Sequence, residues 1–590
     1  MNQTITSRAV LLVVVSALAA CAPGQLQVKP GSVHTCVDTS RETSARLIGW
    51  GSVPSANALV DAVQQVGQRM GKFAPQVSLR KVAVQQLDRM MKKHGVTGAE
   101  WFRLDRPVHM IVRLMGKAVK KPTVILHTNG EAAAAFAEII NPKIPAAGHS
   151  YVVEPNGRRG RKMPPLLVTE TEYGVATFSP PGTPAKGLPS LANCVAQRQS
   201  THLLEIGLSA TAVADMLGGE LGPIGRMLRK FGPMSAPIKG AVKKLVESLR
   251  QSTWGTFALD LDDKHVALRG SLVAQSGTDL ASKWKAESEH APNPYLAEMP
   301  ANSWFLGSQG PQDPDDLQMT YNMQMDGPLR KYKALLKPVL KSFMARATGP
   351  GAGAFFAEPA FPASLYSVVE MKDSRQLLND LDGLIKRFAQ KAVDETVAKV
   401  GKANPVLQQI AGGGFVALVV VLSKALEKRG AQVNLKSRAV NGQRCDFISV
   451  LGLQSLPIRS RQLKQMLPDV MEFGVCTSAT HLRIGMSPNA SNWLGTKATG
   501  PLAKKLSTQP WFNGVTEMSG YQTTSFAALY PAPVLDWMSK FIPILPRWKS
   551  GSALTFRCGH QPTTAACEVE ISMGVLDMVQ AFQASRSGRR

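Results

Sequence analysis

Ser78-Leu-Arg-Lys81 sets a serine and a lysine at the spacing where an amine can take the hydroxyl proton and create a nucleophile. The other half of that signature, a Lys-Thr-Gly on a later strand, is absent. Ser78 also stands where a helix should begin, and a serine there caps the first turn. The capping role is the expectation. Neither a Gly-x-Ser-x-Gly elbow nor a His-Glu-x-x-His pair occurs, and there is no P-loop. Gly349-Pro-Gly-Ala-Gly353 is glycine-rich but follows no strand pattern and precedes no cationic helix start, so it reads as a flexible loop. The ten histidines, among them His109, His127, His202, His265 and His481, fall mostly singly in strand-like stretches. None is paired at metal-ligand spacing, so each is expected to pack and hydrogen-bond, and neither a metal nor a cofactor is expected.

Cys21 carries a different chemistry. One cation, Arg8, precedes the apolar run from Ala9 to Ala20, and small residues lead into the cysteine. This is the three-part pattern of a secretory signal peptide over residues 1–20. Leu18-Ala-Ala-Cys21 resembles the bacterial lipobox, whose cysteine is lipidated and becomes the mature N-terminus. The run is shorter than the roughly 20 residues a spanning helix needs. Lipidation at Cys21 and a cell-envelope location are therefore expected. Ala22 is not an acidic retention signal, which points to the outer membrane, facing the periplasm or the surface. No later stretch is expected to cross a membrane: Phe415 to Leu422 is eight apolar residues and reads as a buried helix or strand.

With 590 residues, 44% of them hydrophobic and 19% charged, the chain can bury a sizeable core in several domains. A net charge of +26 favours anionic partners such as phospholipid head groups or acidic polysaccharide. Nucleic acid is not expected, because the basic clusters Arg158 to Lys162 and Arg586 to Arg590 are short and lack interleaved aromatics. The 23 methionines are expected to fill core rather than line a groove.

The elements follow from periodicity. Residues 21–44, rich in Pro, Gly and small polar residues, read as a tether that Cys36 pins to the body. Ala45 to Val53 reads as a strand, and Ser55 caps a helix with Leu59, Val63 and Val66 on one face. A second helix starts at Ser78, with Val82 on its apolar face. Strands follow at Val108 to Leu114 and Thr123 to Leu126, then a helix from Glu131 to Ile140. Short strands are expected at Val152-Val153, Leu166 to Thr169 and Gly174 to Ser179. Another strand begins at His202, with amphipathic stretches at Ile224 to Phe231 and Ile238 to Leu249. Trp254 to Leu261 and His265 to Ala274 form a hairpin around Asp262-Asp-Lys264.

The order then recurs. The strand at Asn302 to Ser308 echoes that at Ala45, and Ser364 to Glu370 with the helix Arg375 to Phe388 echoes the strand–turn–helix around Asn129. His481 to Ser487 echoes Tyr173 to Ser179, and Ser525 to Pro533 running into Val534 to Phe541 echoes the unit at His202. Ser552 to Cys558 with Cys567 to Met573 echoes the hairpin at Trp254. Residues 394–435, which include Gly412-Gly-Gly414, read as a helical insertion peculiar to the second half. The expected fold is α+β: two similar halves, 45–300 and 301–590, each a mainly antiparallel sheet packed with amphipathic helices. The arrangement resembles a family of uncharacterised bacterial exported lipoproteins built from duplicated strand–helix units. That resemblance implies no activity and no catalytic residues.

Six cysteines besides Cys21 form no Cys-x-x-Cys pair, so structural disulfides are expected in an oxidising compartment. Cys558 and Cys567 should face each other across the loop 559–566 of the final hairpin. Cys445 and Cys476 lie on candidate strands and form the second pair. Cys36 and Cys194 remain by elimination. The functional reading is a non-catalytic, lipid-anchored binding or scaffolding protein for an apolar or anionic envelope component. An envelope hydrolase whose site is assembled from distant residues is the alternative, and a subunit of a larger surface assembly is the third.

Overall fold

The computed structural model describes residues 29–30, 36, 46–69, 78–82, 84–85, 89, 103–115, 118–119, 123–127, 145–146, 150–153, 166–170, 175–179, 188–218, 245–311, 333–347, 349–359, 361–458, 460–495, 505–509, 512, 516, 518–540 and 553–587. Cys21, the signal stretch, the helices expected at 131–140 and 224–231, and the basic cluster at 158–162 lie outside these residues. Mixed helices and antiparallel sheet make the fold α+β. The chain divides into two compact units: Met1–Asp215 with Leu249–Gln275 and Glu570–Arg590, and Met216–Ser248 with Ser276–Val569.

In the first unit β1 (Lys29–Pro30) runs parallel to Arg198–Gln199, and Cys36 is bonded to Cys194 with Cα atoms 5.7 Å apart. Two attachments thus hold the tether region to the body. The main strands are β2 (Arg46–Val53), β3 (Val108–Met115), β4 (Ala118–Val119), β5 (Thr123–His127), β6 (Pro145–Ala146), β7 (Ser150–Val153), β8 (Leu166–Glu170) and β9 (Val175–Ser179). After β10 (Arg198–Gln199) come β11 (Leu204–Ser209), β12 (Ser252–Leu261) and β13 (His265–Ala274). Their antiparallel ladder runs β13-β12-β11-β2-β3-β5-β9-β8-β7-β6. Trp50, Ile111, Ile125 and Val175 point from the ladder into one core, covered by Ala192, Val195 and Ala196 of the helix α2 (Leu188–Ala196).

Helix α1 (Ala56–Arg69) starts where Ser55 Oγ accepts the Ala58 amide at 3.0 Å. Its buried residues are Ala56, Ala62 and Gly67; of the expected face Leu59 and Val66 are half-buried and Val63 is exposed. Val82 is exposed as well.

In the second unit the strands are β14 (Ser303–Gln309), β15 (Gly351–Phe356), β16 (Ser364–Glu370), β17 (Gln432–Val440), β18 (Gln443–Leu451), β19 (Val470–Thr477), β20 (His481–Ser487), β21 (Gln522–Leu529), β22 (Leu554–Gln561) and, as far as Val569, β23 (Thr564–Ser572). The ladder runs β22-β21-β14-β15-β16-β20-β19-β18-β17, antiparallel throughout. Alternate residues Ala352, Ala354 and Phe356 of β15, Tyr366 and Val368 of β16, and Phe447 of β18 enter a core closed by Trp493 and Leu494. Gly474 is needed there, because a Cβ would come within 2.6 Å of the Phe447 ring.

Three expectations change in this unit. Gly351 to Gly353 is not a loop but the start of β15, where small residues let β16 approach; a Cβ on Gly351 would sit 3.3 Å from Val369 Cγ2. The final hairpin is tighter than expected, since β22 and β23 extend through most of 559–566 and leave only Pro562 and Thr563 between them. Cys558 and Cys567 are bonded inside the paired region, their Cα atoms 4.0 Å apart. Beside them Arg557 and Glu568 form a buried ion pair. Cys445 and Cys476 are direct cross-strand partners on β18 and β19 and are also bonded. Finally, the insertion is two helices that begin before 394, and its end at 435 lies within β17.

Candidate functional site

Helices α3 (Ser374–Val400) and α4 (Pro405–Glu427) form an antiparallel arm joined by a four-residue turn. The sequence specifies the turn closely. Gly401 ends α3 in the left-handed conformation with its N–H on Val397 O, the usual glycine stop. Asn404 then caps α4 by accepting the Val406 amide at 2.9 Å, and Pro405 occupies the first turn, where its missing N–H costs nothing. Within α4 the backbone breaks at Gly414 (φ 61°, ψ −136°), a conformation that favours glycine. Asp382 of α3 repairs the break by accepting the Phe415 amide at 2.7 Å, and Lys386 pairs with it at 2.8 Å. Burial pushes the Asp382 carboxyl up, but Lys386 and the Phe415 amide outweigh burial and hold it below its ordinary value.

Residues 403–423 carry no charge at all, so α4 is long and apolar enough to cross a membrane. The expectation of an eight-residue buried run is therefore corrected. Only Ile410, Gly414, Ala417 and Val419 of α4 are buried. Val406, Phe415, Val416 and Leu422 are exposed, Val416 to 60%, and Val400 at the tip of α3 to 71%. Lone exposed apolar residues need no explanation, but four on the uncharged stretch of one helix do. Lys399 precedes the turn and Lys402 lies in it, and Lys424, Lys428 and Arg429 follow the other end of the apolar stretch.

A second arrangement is polar. Helix α5 (Asp279–Ser288) is capped by Thr278, whose Oγ1 accepts the Ala281 amide, and it buries Trp284. Glu287, one turn later, lies on the same side and meets His560 of β22, with Oε2 3.0 Å from Nε2. The other imidazole nitrogen, Nδ1, lies 3.3 Å from Thr524 Oγ1. Thr524 is the extra residue of a bulge in β21, where the register skips from Thr523↔Gly559 to Ser525↔Cys558. Its carbonyl accepts the Gly310 amide at 2.7 Å, which holds the bulge open. All three side chains line a cleft of about 160 Å³, together with His290, Asn293 and Ser525. Asn293 braces its wall by donating to Gln309 O at 3.1 Å and Gly351 O at 2.7 Å.

The residues singled out by sequence behave differently. Ser78 Oγ accepts the Lys81 amide at 3.3 Å, a helix cap, while the Lys81 side chain is not brought to the hydroxyl. His202 pairs with Asp260 at 2.7 Å, which raises its pKa, and His265 pairs with Asp262 at 3.1 Å. His481 Nε2 is 2.6 Å from the Tyr295 hydroxyl, which also reaches Glu370 at 3.3 Å. His109 shares a 2.8 Å hydrogen bond with Ser52, while Nε2 of His109 and of His127 faces backbone at Arg198 and Ala196 without a well-formed bond. No group of three His, Cys, Asp or Glu side chains among the described residues could hold a metal ion. Sequence reasoning missed Glu287, Thr524 and His560, whose juxtaposition depends on a bulge and on strand pairing that no local motif encodes.

No family model, no curated protein and no solved structure matches the chain.

Proposed function

We propose that the protein is a lipid-anchored envelope protein that holds itself against an anionic bilayer through the arm formed by α3 and α4. The supporting observation is the uncovered apolar side of α4, bounded at both ends by cations. Fully burying a Val, Leu or Phe side chain contributes about 1.5–3 kcal/mol, so the exposed set on α4 is enough for reversible adsorption. Each Lys or Arg near an anionic surface adds about 1 kcal/mol. The arm, residues 374–431, carries nine Lys and Arg against five Asp and Glu, a balance that favours lipid head groups over an acidic-repelling surface.

On this reading Cys21 supplies the first attachment and the arm the second, because one acyl chain alone gives only marginal membrane binding. The outer membrane is the proposed location. The body is proposed to be an internal duplication: β13-β12-β11-β2-β3-β5-β9 in one unit and β22-β21-β14-β15-β16-β20 in the other support it, with the arm added to the second copy.

Co-sedimentation tests the arm. The chain lacking residues 1–21, and so unlipidated, should pellet with vesicles of phosphatidylglycerol and phosphatidylethanolamine and much less with phosphatidylcholine. Replacing both Val416 and Leu422 by Glu should reduce binding at least about tenfold, since both are exposed and the fold does not need them. Absence of vesicle binding, or equal binding by the variant, would discard the bilayer as the arm's partner. Fatty-acid labelling of the full chain but not of Cys21→Ser is the expected result for the anchor.

A further inference from the structure

We infer that the cleft between α5 and the bulged strand β21 is a hydrolytic site for short-chain carboxylic esters, with Thr524 as nucleophile, His560 as base and Glu287 as positioning residue. The defining signature of such a site is a hydroxyl within hydrogen-bond reach of a base that a third group orients. Here the hydroxyl-to-imidazole distance is 3.3 Å and the imidazole-to-carboxylate distance 3.0 Å. With Nε2–H donating to Glu287, Nδ1 of neutral His560 is left as the acceptor facing Thr524. The Trp284 ring, its centroid 6.1 Å from that of His560, limits how the imidazole can tilt.

A bulge is the device that would turn Thr524 out of the regular ladder, and bulges concentrate beside active sites for that reason. The hairpin behind it is rigid: the Cys558–Cys567 bridge and the Arg557–Glu568 pair tie β22 to β23 next to His560. Thr524 Oγ1 is also within 3.4 Å of Cys558 O, to which it donates, so the hydroxyl turns from that carbonyl to Nδ1 when it reacts. The cleft's volume, about 160 Å³, suits an acetyl-sized acyl group.

The chemistry balances without a cofactor. Thr524 Oγ1 bonds to the ester carbonyl carbon as its proton passes to His560 Nδ1. The resulting imidazolium is stabilised by Glu287. Nδ1 then returns the proton to the leaving alkoxide as the ester C–O bond breaks, giving an alcohol and an acyl-threonine. Water next attacks the acyl carbon, again losing a proton to Nδ1, and Thr524 leaves with that proton. The products are one carboxylic acid and one alcohol.

The test uses p-nitrophenyl acetate and the chain lacking residues 1–21. Hydrolysis above the buffer rate is expected, with an acetyl adduct on Thr524 in acid-quenched peptide maps. Thr524→Val should abolish the adduct, Thr524→Ser should retain it at position 524, and His560→Gln should slow its formation roughly 10²–10⁴-fold. Glu287→Gln should slow acylation while leaving the adduct at Thr524. Non-reducing maps that keep the Cys558–Cys567 bridge show that each variant is folded. Wild-type protein with no adduct at Thr524, or a Thr524→Val variant of unchanged rate, overturns the assignment.

Discussion

The buried groups whose titration is most displaced are histidines in one unit and a glutamate in the other, and so the two units should respond to opposite ends of the pH scale. In the first unit His109 and His127 sit on neighbouring strands β3 and β5, where burial above all holds their pKa values down to about 3 and about 4. The proximity of His127 lowers His109 further, and Arg106 does the same for His127. In the second unit Glu358, between β15 and β16, is 7% exposed, and burial raises its pKa to about 7, with Ser487 acting weakly against the shift. Burial favours the neutral form of all three. Burial penalises whichever form is charged, so the same physics makes one unit acid-labile and the other alkali-sensitive.

The largest expected effect is in the first unit. Unfolded histidine titrates near 6.5 and the folded pair far lower, so the unfolded chain binds more protons as pH falls through 6.5. Stability is therefore complete above about pH 6.5 and is lost below it. At pH 5 each histidine costs about 2 kcal/mol, or about 4 kcal/mol for the pair. Hydrogen exchange followed by peptide should show β3 and β5 opening between pH 7 and 5 while β15 and β16 stay protected. Equal opening of both sets would break the contrast.

The second effect has the other sign. Glu358 binds its proton more tightly in the folded chain than in the unfolded one, so its contribution is fully present below about pH 4.5 and is lost as pH rises through about 7. Glu358→Gln keeps the shape and removes the charge. It should stabilise the second unit by roughly 3 kcal/mol above pH 7 and leave it nearly unchanged at pH 4.5. Denaturant titrations at the two pH values measure this, and a gain of the same size at both would show that ionisation is not the cause.

Much of this frame can be read from the chain, and the unreadable parts have physical reasons. The hairpin of β12 and β13 follows from alternation and an Asp-rich turn, and the strand at Ser364 from its apolar alternation. Gly351 to Gly353 reads as a loop because glycine carries no pattern; only the close approach of β16 makes a strand of it. The apolar run in α4 is visible in sequence, but sequence does not say what covers it, and burial was the wrong expectation. The cleft is the least legible part. Glu287, Thr524 and His560 are unremarkable in their local contexts and meet only through a one-residue bulge.

A partnered hydroxyl gives the smallest effect and the control for the other two. Ser78 accepts the Lys81 amide at the start of its helix and is not buried, so no charged form is penalised there. Ser78→Ala should cost about 1 kcal/mol, the ordinary loss of a helix cap. Because neither the serine hydroxyl nor an amide titrates between pH 4.5 and 8, that cost should be the same at every pH in the range. A catalytic Ser78 would behave otherwise: it would be acylated by a labelled β-lactam in a manner that depends on Lys81 losing its proton. The 3.3 Å bond to the Lys81 amide uses the serine oxygen, and the amine has no role in it. Labelling that appears at Ser78 and rises with pH would make this serine a nucleophile; a flat cost near 1 kcal/mol with no label leaves it a cap.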